Sequence, residues 1–184
     1  NKSNITICGS TFSDNTSVKN GGSVIYVSQS SPSINVVNTT MFNNSCTNSA
    51  FAGVETIRMS GGHPTLNAIH STLCGAFFVE QGNAKFSNCI VEAVGNVDVN
   101  GGYKQAHSDL TAVSQSVNPA DHSEFKTLFS NIKLGNSNTP VLPLIKEIAK
   151  IPATRASCPD CEINKDQTGA DRQSDTVTPG AVEQ

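Results

Sequence analysis

The chain has 184 residues, enough for a domain with its own core, yet only 36% are hydrophobic and 15% charged, with a net charge of −3. That balance argues against an ordinary helical enzyme, whose surface needs more Lys and Glu, and gives no case for nucleic acid, which needs clustered Lys and Arg. No run of about 20 apolar residues could cross a bilayer as a helix, and disorder is opposed by Val, Ile and Phe clusters recurring through residues 5–100.

The chain opens on "NKSNITICGSTF", already patterned like a strand, and no signal peptide is visible within it. The expectation is a mature or truncated piece of a longer precursor. Blocks then repeat along the chain. "ITICGSTFSDN" (5–15), "INVVNTTMFNN" (34–44), "LNAIHSTLCG" (66–75) and the shorter "KFSNCIVEA" (85–93) look alike. Aligning Phe12, Phe42, Leu73 and Ile90 gives spacings of 30, 31 and 17 residues. A second class lies between them: "GGSVIYVSQ" (21–29), "AGVETIRMSGG" (52–62) and "GAFFVEQGN" (75–83). Aligning Val24, Val54 and Phe77 gives spacings of 30 and 23.

Each block is short, rich in β-branched or aromatic residues, and alternates with period two at Ile5/Ile7, Ile34/Val36 and Ile57/Met59. A hairpin sandwich is the competing reading, since "KNGG" (19–22) could form a two-residue turn. Recurrence of like blocks at similar spacing favours stacked coils, in which inward residues form an apolar column and small polar residues fill the turns. Asn38 and Asn88 precede equivalent strand ends and could belong to an asparagine ladder. The predicted fold is therefore all-β, about three to four stacked coils over 1–112, with an irregular C-terminal cap over 113–184. Leu144, Ile148 and Ile151 in "PLIKEIAKIP" stand at helix spacing, which predicts one short helix across the end of the stack.

"FSDN" followed by "GGSVIY" resembles the paired motif of bacterial surface β-helix proteins, such as autotransporter passengers and polymorphic outer-membrane proteins. The tail resembles a narrower family, the choice-of-anchor Q proteins, secreted parallel β-helix proteins common in Bacteroidota. Thr139-Pro140, Leu144, Cys158-Pro159, Asp166-Gln167-Thr168-Gly169, Arg172 and Gly180-Ala181-Val182-Glu183 match that family's closing motifs. Its Ser-Pro-Ala turn is replaced here by "IAKIPATRAS", and a Cys often found before the last motif is missing. The resemblance implies that the stacked coils form a right-handed parallel β-helix, and that the protein is secreted or surface-exposed on a bacterium, with any outer-membrane association made through another part or partner.

Six cysteines, at 8, 46, 74, 89, 158 and 161, permit disulfides in an exported chain. The Cys158-Pro159-Asp160-Cys161 pair predicts either a local Cys158–Cys161 disulfide or one that pins the tail. A redox role would need a thioredoxin-like βαβ setting, and a zinc site a second close pair of ligands; neither is offered. Cys8, Cys74 and Cys89 lie beside strand ends and are expected to pack as small core residues.

Parallel β-helices can cleave acidic polysaccharides, using a Lys or Arg base or paired carboxylates. The candidates are Glu55, Arg58 and Glu80, with Glu92, Asp98 and Asp109 more remote. Their bland reading is a solvated strand face with one ion pair, and that reading is preferred because no Asp pair, Asp-x-Asp pattern or Arg-rich strand occurs. His63, His70, His107 and His122 are scattered, and His107 and Asp109 straddle Ser108 without forming a relay. His70 is read as a packed or turn residue. For binding, Tyr26, Phe77 and Phe78 are the best contact patch, since a regular strand turns one of the two Phe outward. Tyr103 is the other Tyr. Thr176 in "DTV" fits a short bacterial O-glycosylation sequon. The leading expectation is a non-catalytic scaffold or adhesin-like module that binds a polysaccharide or another surface protein, needs no cofactor or metal, and sits outside the cell. The alternative is a polysaccharide lyase or glycoside hydrolase with part of its cleft in upstream coils.

Overall fold

A computed structural model describes residues 3–48, 56–73, 77–79, 82–91, 133–134, 140–141, 150–152, 158–178 and 180–183. The chain lays down strands in successive layers. The first holds β1 (Asn4–Cys8), β2 (Thr11–Ser13), β3 (Thr16–Ser17) and β4 (Ile25–Val27). The second holds β5 (Ser33–Val37), β6 (Thr40–Phe42), β7 (Ser45–Cys46) and β8 (Ile57–Met59). Next come β9 (Thr65–Ile69), β10 (Thr72–Leu73) and β11 (Phe77–Val79), then β12 (Asn83–Ser87) and β13 (Ile90–Val91).

Strands of the same rank pair in parallel, giving sheets β1-β5-β9-β12, β2-β6-β10-β13, β4-β8-β11 and β3-β7. Partners lie a full layer apart in sequence, so the chain returns to stack on itself. The described residues are all-β, with parallel strands in stacked sheets, consistent with a parallel β-helix-like fold.

The period-two pattern decides which side faces in. Register places Ile34, Leu66 and Ala84 in one column and Val36, Ala68 and Phe86 in another, and all six are buried. The intervening columns, Ser33/Thr65/Asn83 and Asn35/Asn67/Lys85, face out and are half-buried or exposed. Asn67 Nδ2 donates to Asn35 Oδ1 at 3.3 Å, one rung of a polar ladder. Met41, Leu73 and Val91 of the second sheet, and Ile57 and Met59 of the third, complete the same core. Each such aliphatic side chain contributes about 1.5–3 kcal/mol by leaving water.

The corner between the first two sheets is built alike in every layer. Gly9, Asn38, His70 and Asn88 all turn left-handed, with φ of 55°, 47°, 48° and 54°. The next residue, Ser10, Thr39, Ser71 or Cys89, donates its side-chain proton to the carbonyl two residues back, at 2.8, 2.9, 2.9 and 3.2 Å. This repeat sets the true alignment. Phe12 stacks on Met41 rather than Phe42, and Leu73 stacks on Val91 rather than Ile90. Ile25 stacks on Ile57, so Val24 corresponds to Thr56 rather than Val54. Asn38 and Asn88 do share a column, but Gly9 and His70 belong to it too.

The described part of the tail runs along the side of the stack, over this corner. A small hairpin forms through the Lys165–Asp171 bridge, with Asp166 N donating to Ala170 O at 2.8 Å and Arg172 N to Asn164 O at 2.8 Å. Upstream of it, β14 (Lys133–Leu134) pairs antiparallel with β15 (Pro140–Val141); β16 (Ile151–Pro152) pairs antiparallel with β17 (Thr176–Val177). Ile151 is therefore in a strand, not in the expected helix; the rest of that helix falls in 142–149, outside the described residues. The two edges of the stack differ. Ile5 on edge strand β1 is 44% exposed, whereas Ile90 and Val91 on β13 are fully buried.

Candidate functional site

Two places gather chemistry-bearing residues. The first is the outer face of the β4-β8-β11 sheet. Register sets Tyr26 beside Arg58, and Arg58 beside Phe78; Ile25, Ile57 and Phe77 form the neighbouring column. Tyr26 is 43% exposed, and the Arg58 guanidinium lies 5.5 Å from its ring centroid. Contacts of this kind contribute about 0.5–1 kcal/mol and hold the ring in one orientation.

Arg58 itself is only 3% exposed, and its Nη1 donates to the Asn20 carbonyl at 2.5 Å. The "KNGG" turn makes room for it. Gly22 has φ of 61°, and a Cβ there would sit 3.1 Å from Arg58 Cβ and 2.5 Å from Ile25 O. Arg58 is thus a buried brace for Tyr26. It is not a solvated charge on an open strand. Glu55 and Glu80, and with them Glu92, Asp98, Asp109, His107, His122 and Tyr103, lie outside the described residues. For Phe77 and Phe78 only the strand and its register are described. His63 is exposed, and Thr176 is exposed in β17.

The second place is the seam where the tail crosses the corner. Gln167 straddles the first two layers: its Nε2 donates to Ser10 O at 2.9 Å and Thr11 Oγ1 at 2.8 Å, while its Oε1 accepts from Thr40 Oγ1 at 2.6 Å. Ala181 N donates to Thr72 Oγ1 at 3.0 Å and Gly180 N to Asn88 O at 2.9 Å, which reaches the remaining layers. Gly180 is required there. Its φ is 100°, and a Cβ would come 2.8 Å from Thr72 Oγ1 and 3.0 Å from Ile90 Cδ1.

Arg172 and Asp166 hold the tail in this shape. Arg172 donates to Glu183 Oε2 at 3.0 Å, to Asn38 Oδ1 at 3.2 Å, and to the carbonyls of Thr178, Gly180 and Ala181. Burial lowers its pKa, and the carboxylates of Glu183 and Asp166 work against that fall. Asp166 Oδ1 accepts from Thr168 N, Thr168 Oγ1 and Ala170 N, and its Oδ2 accepts from Glu183 N. Asn38 Nδ2 returns the contact by donating to the carbonyls of Glu162 and Lys165. The charged residues of the tail motif are therefore spent on architecture.

His70 lies in the corner column, 3% exposed, with no hydrogen-bond partner at Nδ1. Burial first, and the Arg172 charge second, push its pKa down to about 3. A histidine so held stays neutral and is a turn residue, not a proton-transfer group at neutral pH.

The cysteines form a bond that pins the tail, one of the two alternatives expected, and not the local one. Cys161 is bonded to Cys8, across a sequence separation of 153, and not to Cys158. Cys8 is accordingly exposed and covalently engaged, not a packed core residue. The stack brings the end of β1 under the tail, a proximity that spacing alone could not reveal. Cys158 is 6% exposed, packs with Val37 and Ile69, and lies 3.4 Å, sulfur to sulfur, from Cys161. Cys89 does pack in the core, and burial pushes its thiol pKa up to about 12. Cys74 lies outside the described residues.

A groove of about 310 Å³ opens at the seam, lined by Cys8, Gly9, Asn38, Cys161, Lys165 and Gln167, among others. Among the described residues, no group of three or more His, Cys, Asp or Glu is placed to hold a metal ion, and no helix is long and apolar enough to cross a membrane. No family model, no curated protein and no solved structure matches the chain.

Proposed function

We propose that this chain is a non-catalytic, extracellular or cell-surface scaffold whose outer face binds a polysaccharide or another surface protein. The carrying observation is the exposed Tyr26 ring, held against a buried Arg58. An aromatic ring fixed at a sheet surface is a platform for the apolar face of a sugar. The outward Ser, Thr and Asn columns beside the core add hydrogen-bonding groups without the charge clusters that uronate chemistry needs. The Cys8–Cys161 disulfide fits an oxidising compartment outside the cytoplasm. We read the architecture in finer detail as a right-handed parallel β-helix of about three to four coils, with a C-terminal cap of the choice-of-anchor Q kind. The matching tail residues Asp166, Gln167, Arg172 and Gly180 support that kinship by acting as one structural unit.

The test is retention of the purified chain on a panel of plant, host and microbial polysaccharides, reading bound protein and product chain length together. Retention without shortening, reduced at least about tenfold in Tyr26→Ala, is the expected result; tenfold corresponds to about 1.4 kcal/mol. Shortening with a new unsaturated end would overturn the scaffold reading and move attention to Glu55 and Glu80. Absence of both would leave the protein-binding half of the proposal, to be met by pull-down from the producing cell's envelope with Tyr26→Ala as control.

A further inference from the structure

Three sulfurs meet at the seam: the Cys8–Cys161 disulfide, and the thiol of Cys158 at 3.4 Å from Cys161 Sγ. That distance is a van der Waals contact, the separation from which a thiolate attacks a disulfide sulfur. The turn over 158–161, closed by Cys161 N donating to Cys158 O at 3.2 Å, keeps the two cysteines close enough for a bond of their own. Such turns hold their end Cα atoms within about 7 Å, and disulfides span about 4.4–6.8 Å. The leaving side is open, because Cys8 is exposed and lines the groove together with Lys165.

We propose that Cys158 is the exchanging thiol of an internal disulfide switch, which moves the tail's covalent attachment off the first layer. The Cys158 thiolate attacks Cys161 Sγ. The Cys158–Cys161 bond forms as the Cys8–Cys161 bond breaks, and the electron pair leaves on Cys8 Sγ. Cys8 then takes up a proton equivalent to the one Cys158 released. One disulfide and one thiol stand on each side, so no oxidant or reductant is consumed. In the starting form the tail is stapled to β1. In the exchanged form it is held to that layer by the Gln167 hydrogen bonds to Ser10 and Thr11, and Cys8 becomes a surface thiol open to a second thiol protein.

The experiment uses the full chain, never reduced, held at mildly alkaline pH without added redox reagents. Samples are acid-quenched at intervals, capped with N-ethylmaleimide, digested and mapped by mass spectrometry. The expected result is label appearing on Cys8 in step with a Cys158–Cys161 linkage, at constant total thiol. Cys158→Ala, which keeps an apolar group against Val37 and Ile69, should lose the Cys8 label entirely. Cys158→Ser provides the same control should the alanine variant fail to fold. Wild-type Cys8 remaining unlabelled, or becoming labelled equally in the Cys158 variants, would overturn the proposal.

Discussion

The stack and the tail that crosses it stabilise the same molecule in opposite ways. In the stack each layer touches only its neighbours, through columns of interchangeable apolar side chains such as Ile34, Leu66 and Ala84. Among the described residues of the tail the apolar cluster is small, Cys158, Cys161 and Ile163 against Val37 and Ile69, yet the single side chain of Gln167 bridges two layers at once. A repeat spreads its stability over many weak equivalents. A strap concentrates stability in a few groups that have no substitute.

That contrast is open to direct attack. The largest effect is expected from Arg172→Met, which leaves Glu183, Asn38 Oδ1 and the carbonyls of Lys165, Thr178, Gly180 and Ala181 without their shared donor. Breaking a buried pair by removing one partner costs about 3–5 kcal/mol, read as a fall in urea midpoint. Amide exchange in the same variant should accelerate in β1 and β12 alike, because the strap serves the whole stack. Leu66→Ala should cost about 3 kcal/mol through the cavity it leaves, with faster exchange centred on β9 and its neighbours β5 and β12. Equal spread of the two exchange patterns would end the distinction between strap and stack.

The smallest effect at neutral pH is expected from His70→Asn, since Asn38 and Asn88 hold the same left-handed corner with asparagine. The sign follows from its low pKa. Above pH 6.5 histidine is neutral in both states, but as pH falls from 6.5 towards 3 the unfolded chain takes up a proton that the folded chain refuses. Stability is then lost at up to about 1.4 kcal/mol per pH unit. The asparagine variant should therefore match the parent at neutral pH and resist acid unfolding to a lower pH. A variant with the parent's acid midpoint would show that His70 is not the acid-sensitive element of the corner.

How much of this was legible beforehand depends on the range of the interaction. Alternation within five residues, as in Ser33–Val37, declared the inward face correctly. Alignment of layers slipped by one at Phe42 because Met41 and Phe42 are both apolar, and hydrophobicity cannot choose between adjacent residues. The better marker was present but is chemical: a left-handed Gly, Asn or His followed by Ser, Thr or Cys, as at 9–10, 38–39, 70–71 and 88–89. Tyr26 was found as an exposed aromatic, whereas the burial of Arg58 depends on Gly22 leaving space, which no periodicity encodes. The Cys8 partner was out of reach for the same reason as the strap. The disulfide joins residues 153 apart and the strap's side-chain contacts residues 109 to 157 apart, where sequence spacing says nothing about proximity.

The way the strap is seated makes it a length gauge. Gln167 is fitted to Thr11 and Thr40, and Ala181 to Thr72, so the distance along the strap is matched to the rise of the stack. Layers of a parallel sheet stand about 4.8 Å apart. Inserting one layer between β6 and β10, which are direct neighbours, would carry Thr72 that far from its anchor. Most repeat architectures grow or shrink by whole units with little penalty. This one carries its own ruler, and lineages of the chain that changed the number of layers would have had to change the strap in the same step.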